Sequence, residues 1–336
     1  MQKKILIIIG ILLVLGVAIT AGAWYLQNPQ QKSSGPPESI TIAIIPSEYS
    51  TLIWIAEDQS FFTQNNLNVS LKEYSTSASS LNALSTHDAN FSLSSEYASV
   101  TQILKGTDIR SIVIIDKADN EYLIGRKDRG ISTVSDLKGK KIGVLRNGAA
   151  EFYLGRYLNL HGIDLNEVTL VNEQFAQSVI SINNGNIDAT LLPEPQAYII
   201  QKNLGDNAVV WPAQSGQSLF MTLSCTPDTI QKNPEVIERL LRSLLQAEEF
   251  ARANPNEAKA IVQKKMKYDP AYMEKIWPDH RFTLTFDQSL IIAMEDESRW
   301  LMKNNLTDTK VMPNYLDYIY TGGMSTIKPD SMNIIR

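Results

Sequence analysis

An α/β fold of two similar lobes, with an N-terminal membrane segment ahead of it, is predicted by three observations. From Ser39 onward short β-branched runs alternate with helical patterns, the order that builds largely parallel sheets covered by helices. The strand set then recurs once, displaced by about 100 residues, as two similar lobes require. Finally, Lys3 and Lys4 precede an uncharged apolar run at 5–26, long enough to cross a hydrocarbon core.

The N-terminal run has two readings. As a retained anchor it keeps its lysines inside and places Trp24 and Tyr25 at the outer interface, where aromatic belts lie. As a signal peptide it is cleaved after Ala23, since Ala21-Gly22-Ala23 has the small-x-small form. Residues 1–26 are therefore a signal anchor or signal peptide, and the polar Pro/Ser/Gln stretch at 27–39 is a linker that cannot pack a core. Asn-x-Ser/Thr triplets at Asn68, Asn90 and Asn305 are compatible with glycosylation outside the cell.

Strands are expected at 40–45, 67–74, 89–93 and 112–115, and again at 141–145, 168–172, 189–192 and 208–211. In the repeat, Ile42-Ala43-Ile44-Ile45 answers to Ile142-Gly143-Val144-Leu145 and Asp88-Ala89 to Asp188-Ala189. The last third carries amphipathic helices: Asn233-Pro234 and Asn254-Pro255 start two, and Asp287 caps a third. Their stripes, among them Val236, Leu240, Leu244, Ile261, Leu290, Met294 and Leu301, are core-packing stripes.

Two such lobes leave a cleft, with the carboxyl ends of the strands and the helix N-termini facing it. That selects Ser47, Glu48 and Tyr49 after the first strand, Ser94, Ser95 and Glu96 after the third, and Glu194. It also selects Asn147, Gly148, Ala149, Ala150 and Glu151, at a strand-to-helix junction. There the small residues leave N–H groups open to an acceptor. In the alternative reading Asn147 caps the helix and Glu151 complements its dipole.

Net charge of −5 and the lack of a basic cluster with interleaved aromatics exclude a nucleic-acid partner. A single cysteine, Cys225, excludes an internal disulfide and multi-cysteine metal sites, and the dispersed His87, His161 and His280 read as surface or turn residues. No cofactor, metal set or nucleophile with a partnered base stands out, so an enzyme is not expected.

LKGKKIGV at 137–144, GAAEFYL at 148–154, LHGID at 160–164, VTLV at 168–171, NGNIDA at 184–189 and Glu194-Pro195 carry a family resemblance, as do NPNEA at 254–258 and IKP at 327–329. In order and spacing these residues resemble the extracytoplasmic solute-binding proteins of the nitrate/sulfonate/taurine and thiamine-pyrimidine type of ABC importer. The resemblance implies a two-lobed class II periplasmic-binding-protein fold with crossovers near 116–122 and 220–225, so that residues 40–118 with 222–336 form one lobe and 119–221 the other, and Asn120 at the first crossover joins the candidate ligand-binding residues. It further implies a monomer that closes on a small solute and delivers it to a membrane permease. A ligand-sensing protein for a membrane receptor is the alternative; a thiamine-pyrimidine or menaquinone-pathway enzyme also uses this fold. Pro193 replaces an aromatic frequent in relatives, and Gly148-Ala149-Ala150 replaces the hydroxyl-bearing start of sulfonate binders. With Glu48, Glu96, Glu151 and Glu194 around the cleft, a simple inorganic anion is disfavoured and a ligand with both acceptor and donor groups is expected.

Overall fold

The computed structural model describes residues 36–335. The expected membrane segment at 1–26 lies outside them, as does most of the 27–39 linker. Among the described residues no helix is long and apolar enough to cross a membrane.

The strands are β1 (Glu38–Ile44), β2 (Leu67–Glu73), β3 (Phe91–Ser95), β4 (Arg110–Ala118), β5 (Glu121–Arg126), β6 (Lys141–Val144), β7 (Thr169–Asn172), β8 (Ala189–Pro193), β9 (Ala208–Pro212), β10 (Leu219–Cys225) and β11 (His280–Arg281). They make a six-stranded sheet, β11-β4-β10-β3-β1-β2, and a five-stranded sheet, β7-β6-β8-β5-β9. In the first, β1 runs parallel to β2 and β3, while β10 is antiparallel to β3 and β4. In the second, β6 runs parallel to β7 and β8, while β5 is antiparallel to β8 and β9. With β11 set aside the two orders coincide, and each sheet takes its antiparallel strand from chain that has just crossed over.

The crossings lie at 119–120, between β4 and β5, and at 213–218, between β9 and β10. The first falls inside the expected stretch. The second does not: 220–225 is the body of β10, wholly buried in the first sheet. Sequence reading missed β5 and β10, because EYLIGR and LFMTLSC neither alternate in polarity nor follow a helix as parallel strands do.

Hydrogen bonding shows what the repeat preserves. Asp188 returns from the start of β8 to β6, its N–H donating to Lys141 O at 2.8 Å and its Oδ2 accepting from Lys141 N at 2.9 Å. In the first sheet the same two bonds link Thr41 to Asn90, at 2.9 and 2.7 Å. Asn90 is thus the counterpart of Asp188. Asp88, which the constant displacement selected, pairs instead with Lys72 on β2.

The C-terminal helices Pro234–Ala253, Pro255–Met266 and Gln288–Lys303 begin where the prolines and Asp287 place them. Asp287 caps through its side chain to Ser289 N–H, whereas Asn233 and Asn254 make no side-chain cap. The expected stripe residues are buried, and one apolar core runs through both sheets from Ile40 to Met324. A small second core, including Ile124, Ile182 and Ile200, lies against the five-stranded sheet.

Candidate functional site

The four loops selected from the sequence all follow the carboxyl ends of β1, β3, β6 and β8. All four glutamates they carry are at most 3% exposed, deeper than a cleft rim. A buried carboxyl needs hydrogen-bond donors or a proton, so each environment is informative.

After β1, Glu48 Oε2 accepts from Tyr268 Oη at 2.9 Å, while Oε1 meets no donor. Burial raises the Glu48 pKa, opposed by the nearby charge of His280. The next residue, Tyr49, exchanges hydrogen bonds with the Asn120 side chain at 2.8–3.0 Å, and Asn120 O accepts from Glu194 N–H at 3.3 Å. Tyr49, Asn120 and Glu194 therefore form a continuous link across the first crossing.

His280 corrects the expectation of a surface histidine. Its side chain is fully buried, with Nδ1 2.6 Å from Asp116 Oδ2 and Nε2 without a partner. Burial works against the imidazolium, but the Asp116 carboxylate and its hydrogen bond, with Glu48, hold the pKa above the usual value.

After β3, Ser95 caps the helix Glu96–Leu104 by accepting from Ala98 N–H, and Ser94 Oγ is buried with no partner. Glu96 Oε2 accepts from Phe220 N–H of β10 at 3.0 Å. Its Oε1 and both carboxyl oxygens of Glu297, on the helix Gln288–Lys303, are buried without a hydrogen-bond partner. The two carboxyls repel each other when both are ionised, which together with burial favours a proton on at least one. Burial pushes Glu96 up to about 8 and Glu297 well above its normal range, the Glu96 charge adding to the latter. Glu121, at the start of β5, is also pushed up to about 8 by burial and keeps Oε2 unpartnered. Tyr153 Oη is buried beside this group without a hydrogen bond of normal geometry, and its pKa is raised by burial and then by Glu96, Glu297 and Glu121.

The junction after β6 is resolved differently. Asn147 adopts a left-handed backbone at φ 61°, Gly148 is the N-cap of the helix Ala149–Leu160, and no side chain caps it. Glu151 instead reaches back, Oε2 accepting from Asn147 N–H at 2.7 Å and Oε1 pairing with Arg146 Nε at 2.5 Å. The carboxylate thus serves its own helix start, and Ala150 is packed away. Asn147 is exposed, while Gly148 and Ala149 are half-buried. Glu194 is likewise engaged: Oε2 accepts from Tyr198 N–H at 2.8 Å and Oε1 is 3.2 Å from Lys275 Nζ.

Contacts between the sheets flank this interior on two sides. On one, Lys275 reaches Glu194 and Gln201, Tyr122 Oη donates to Asp279 at 2.7 Å, and the Tyr198 and Tyr272 rings meet at 5.3 Å. On the other, Phe152 packs edge-on against Trp300 at 5.7 Å and Arg156 faces Asp296 at 3.6 Å. The two lobes thus touch on both of these sides.

Sequence reasoning missed Glu121, Tyr153, His280, Asp116, Lys275 and Glu297. Glu297 was legible: it lies three residues after Met294 and four before Leu301, on the inward stripe, where a carboxylate is anomalous. Tyr153 lay inside the junction already singled out. His280 and Asp116 are 164 residues apart, and no local pattern joins them.

Residues 47–258 match the model of the family described as NMT1/THI5 like. A candidate binding protein of Brucella abortus (strain 2308) is 28% identical over 162 residues, 45% of this chain and 50% of that one, so the match spans half the relative's length. The taurine-binding periplasmic protein of Escherichia coli (strain K12) is 25% identical over 203 residues, 59% of this chain and 62% of that protein. In fold the chain is similar to the crystal structure of the periplasmic aliphatic sulphonate binding protein SsuA from Escherichia coli. The TM-score is 0.75 at 16% identity, over 85% of this chain and 92% of that one.

Proposed function

This chain belongs to the NMT1/THI5-like family, and from that premise we propose that it is the extracytoplasmic solute-binding component of an ABC-type importer. It captures a small polar organic solute between its lobes and delivers it to a membrane permease, without turnover, as a monomer. The apolar run at 5–26 tethers it to the membrane, or directs its export if cleaved.

One observation carries this reading. Ser47 Oγ, Glu48 Oε1, Ser94 Oγ, Glu121 Oε2 and Tyr153 Oη are all buried and unpartnered: Ser47, Glu48 and Ser94 at the carboxyl ends of β1 and β3, Glu121 at the start of β5 beside the end of β8, and Tyr153 on the helix Ala149–Leu160. Buried polar groups are nearly always satisfied, and a set left open at the carboxyl ends of α/β sheets is what a polar ligand completes. The periplasmic taurine-binding relative and the sulphonate-binding fold support the same class.

The test is mass spectrometry of what the natively purified protein releases on unfolding, followed by thermal-shift titration with that compound. A bound small molecule that raises the melting temperature in proportion to its concentration is expected. A protein that carries nothing, and that no member of a panel of small cations, zwitterions and anions stabilises, would rule the reading out.

A further inference from the structure

Resting on the reading of two lobes that close on a solute, we propose that Gln214 is the pivot of that motion. It is a positioning residue whose side chain locks the two crossings into one hinge, and Arg281 braces the outer edge.

The crossings are unequal in length. Ala118 pairs with Leu219 on the first-lobe side and Tyr122 with Pro212 on the second-lobe side, where Ala213 N–H also donates to Glu121 O at 2.9 Å. Residues 119–120 therefore run opposite 214–218, and the surplus is folded into a turn. Gln217 N–H donates there to Gln214 O at 3.1 Å, while Ser215 and Gly216 take φ of 51° and 82°. An excess of this kind interrupts the ladder and leaves groups of the facing strand without backbone partners.

The Gln214 side chain supplies those partners. Its Oε1 accepts from Glu121 N–H at 3.0 Å, and its Nε2 donates to Ala118 O at 2.8 Å and to Gln217 O at 3.2 Å. Ala118 ends β4 in the first lobe, and Glu121 begins β5 in the second. One amide from the second crossing thus grips the first crossing on both sides of Asp119 and Asn120. Gln214 is 4% exposed, so breaking these bonds leaves buried backbone groups unsatisfied.

Arg281 makes a second tie outside the first. Nη1 donates to Asp119 Oδ2 at 2.8 Å and Nη2 to Ser218 Oγ at 2.5 Å, one partner on each crossing. Arg281 belongs to β11, which is paired with the end of β4, so it moves with the first lobe. Its ion pair with Asp119 is about half exposed and yields more readily than the buried amide.

Tied at both places, the crossings cannot shear past each other. Rotation of the lobes is then confined to bending at Asp119 and Asn120 and in the 215–217 turn, since a few element-terminal residues absorb the backbone change in a hinge. Loss of the Gln214 amide frees one crossing from the other, and the lobes sample a wider range of separations.

The experiment is double electron–electron resonance on the ligand-free full exported chain. Nitroxides are attached through Ser85→Cys in the first lobe and Lys202→Cys in the second, both exposed positions, with Cys225 buried. We expect Gln214→Met, which loses the amide and stays close to it in length, to broaden the interlobe distance distribution at least about twofold. Arg281→Ala is expected to broaden it less, and Arg299→Ala, which removes an exposed ion pair away from the hinge, to leave it unchanged. A local packing defect would lower the melting temperature without altering the distribution, so an unaltered distribution in Gln214→Met overturns the inference. If Gln214→Met does not fold, Arg281→Ala decides, and an unaltered distribution there overturns it. The solute-binding reading is tested by what the native protein carries, and it survives either failure.

Discussion

Lys275 Nζ lies 3.2 Å from Glu194 Oε1, joining the C-terminal return of the first lobe to the loop after β8 in the second. The carboxylate is completely buried while the lysine is about one-third exposed. Lys275 also sits over the rings of Tyr198 and Tyr122, at 5.0 and 5.9 Å. One cation therefore holds three groups of the opposite lobe, and it does so only when the lobes are shut.

Lys275→Met leaves Glu194 buried without its cation. The closed form should lose about 1–3 kcal/mol, seen as roughly a five- to hundredfold weaker Kd and a larger radius of gyration by small-angle scattering. Combining it with Glu194→Gln should restore part of the affinity. A double variant as weak as the single one would mean that the pair does not govern closure.

Gly155 offers a way to block closure without touching the interior. A Cβ there would sit 2.9 Å from Trp300 Nε1 and 3.2 Å from Leu165 Cδ1. Gly155→Val should act as a wedge, reducing ligand-induced compaction and affinity. Trp300→Ala should relieve it in the double variant, as measured by scattering and titration. Persistent loss in the double variant would place the damage in the second lobe itself.

Glu151→Gln separates the two readings of the strand-to-helix junction. Because the carboxylate accepts from Asn147 N–H and pairs with Arg146, the variant should lose about 1 kcal/mol of helix-start stability. That is a melting-temperature fall of roughly 2–4 °C for a domain of this size, with ligand affinity changed less than about threefold. A large affinity loss with unchanged stability would return Glu151 to the ligand.

Glu96 and Glu121 bind protons up to about pH 8 in the folded protein and release them near pH 4–5 when unfolded. The native state then holds more protons across that interval, so unfolding free energy falls as pH rises. His280 acts in the same direction, since its raised pKa favours the fold at low pH and that contribution is lost as pH rises. The ligand-free protein should melt at progressively lower temperature between about pH 5 and pH 8, and Glu96→Gln or Glu121→Gln should flatten the profile. A profile that rises over this range would show that these carboxyls are ionised in the fold.

The parallel strands were readable because each is a short β-branched run bounded by turn residues, and because the same run recurs. Constant displacement failed at Asp88, since a repeat is preserved as hydrogen bonds rather than as counting, and Asn90 makes the bonds that Asp188 makes. β10 was hidden because a strand buried on both faces carries no alternation. Among the site residues, Glu48, Tyr49, Ser94, Glu96, Asn120 and Glu194 were reached by a topological argument, that loops at strand carboxyl ends face the cleft. That argument selects positions and says nothing of partners.

The sequence by itself determined the two-lobed α/β plan, the loops at the strand carboxyl ends and their surplus of glutamates, because strand periodicity, turn chemistry and composition are local properties. Only the tertiary structure decided which glutamates remain open. Glu151 and Glu194 are answered by Asn147, Arg146, Tyr198 and Lys275, whereas Glu96 meets Glu297 from 201 positions away and Glu121 meets no cation. A carboxyl's protonation and availability depend on what burial removes and what folding brings within a few ångströms, and those neighbours come from distant parts of the chain.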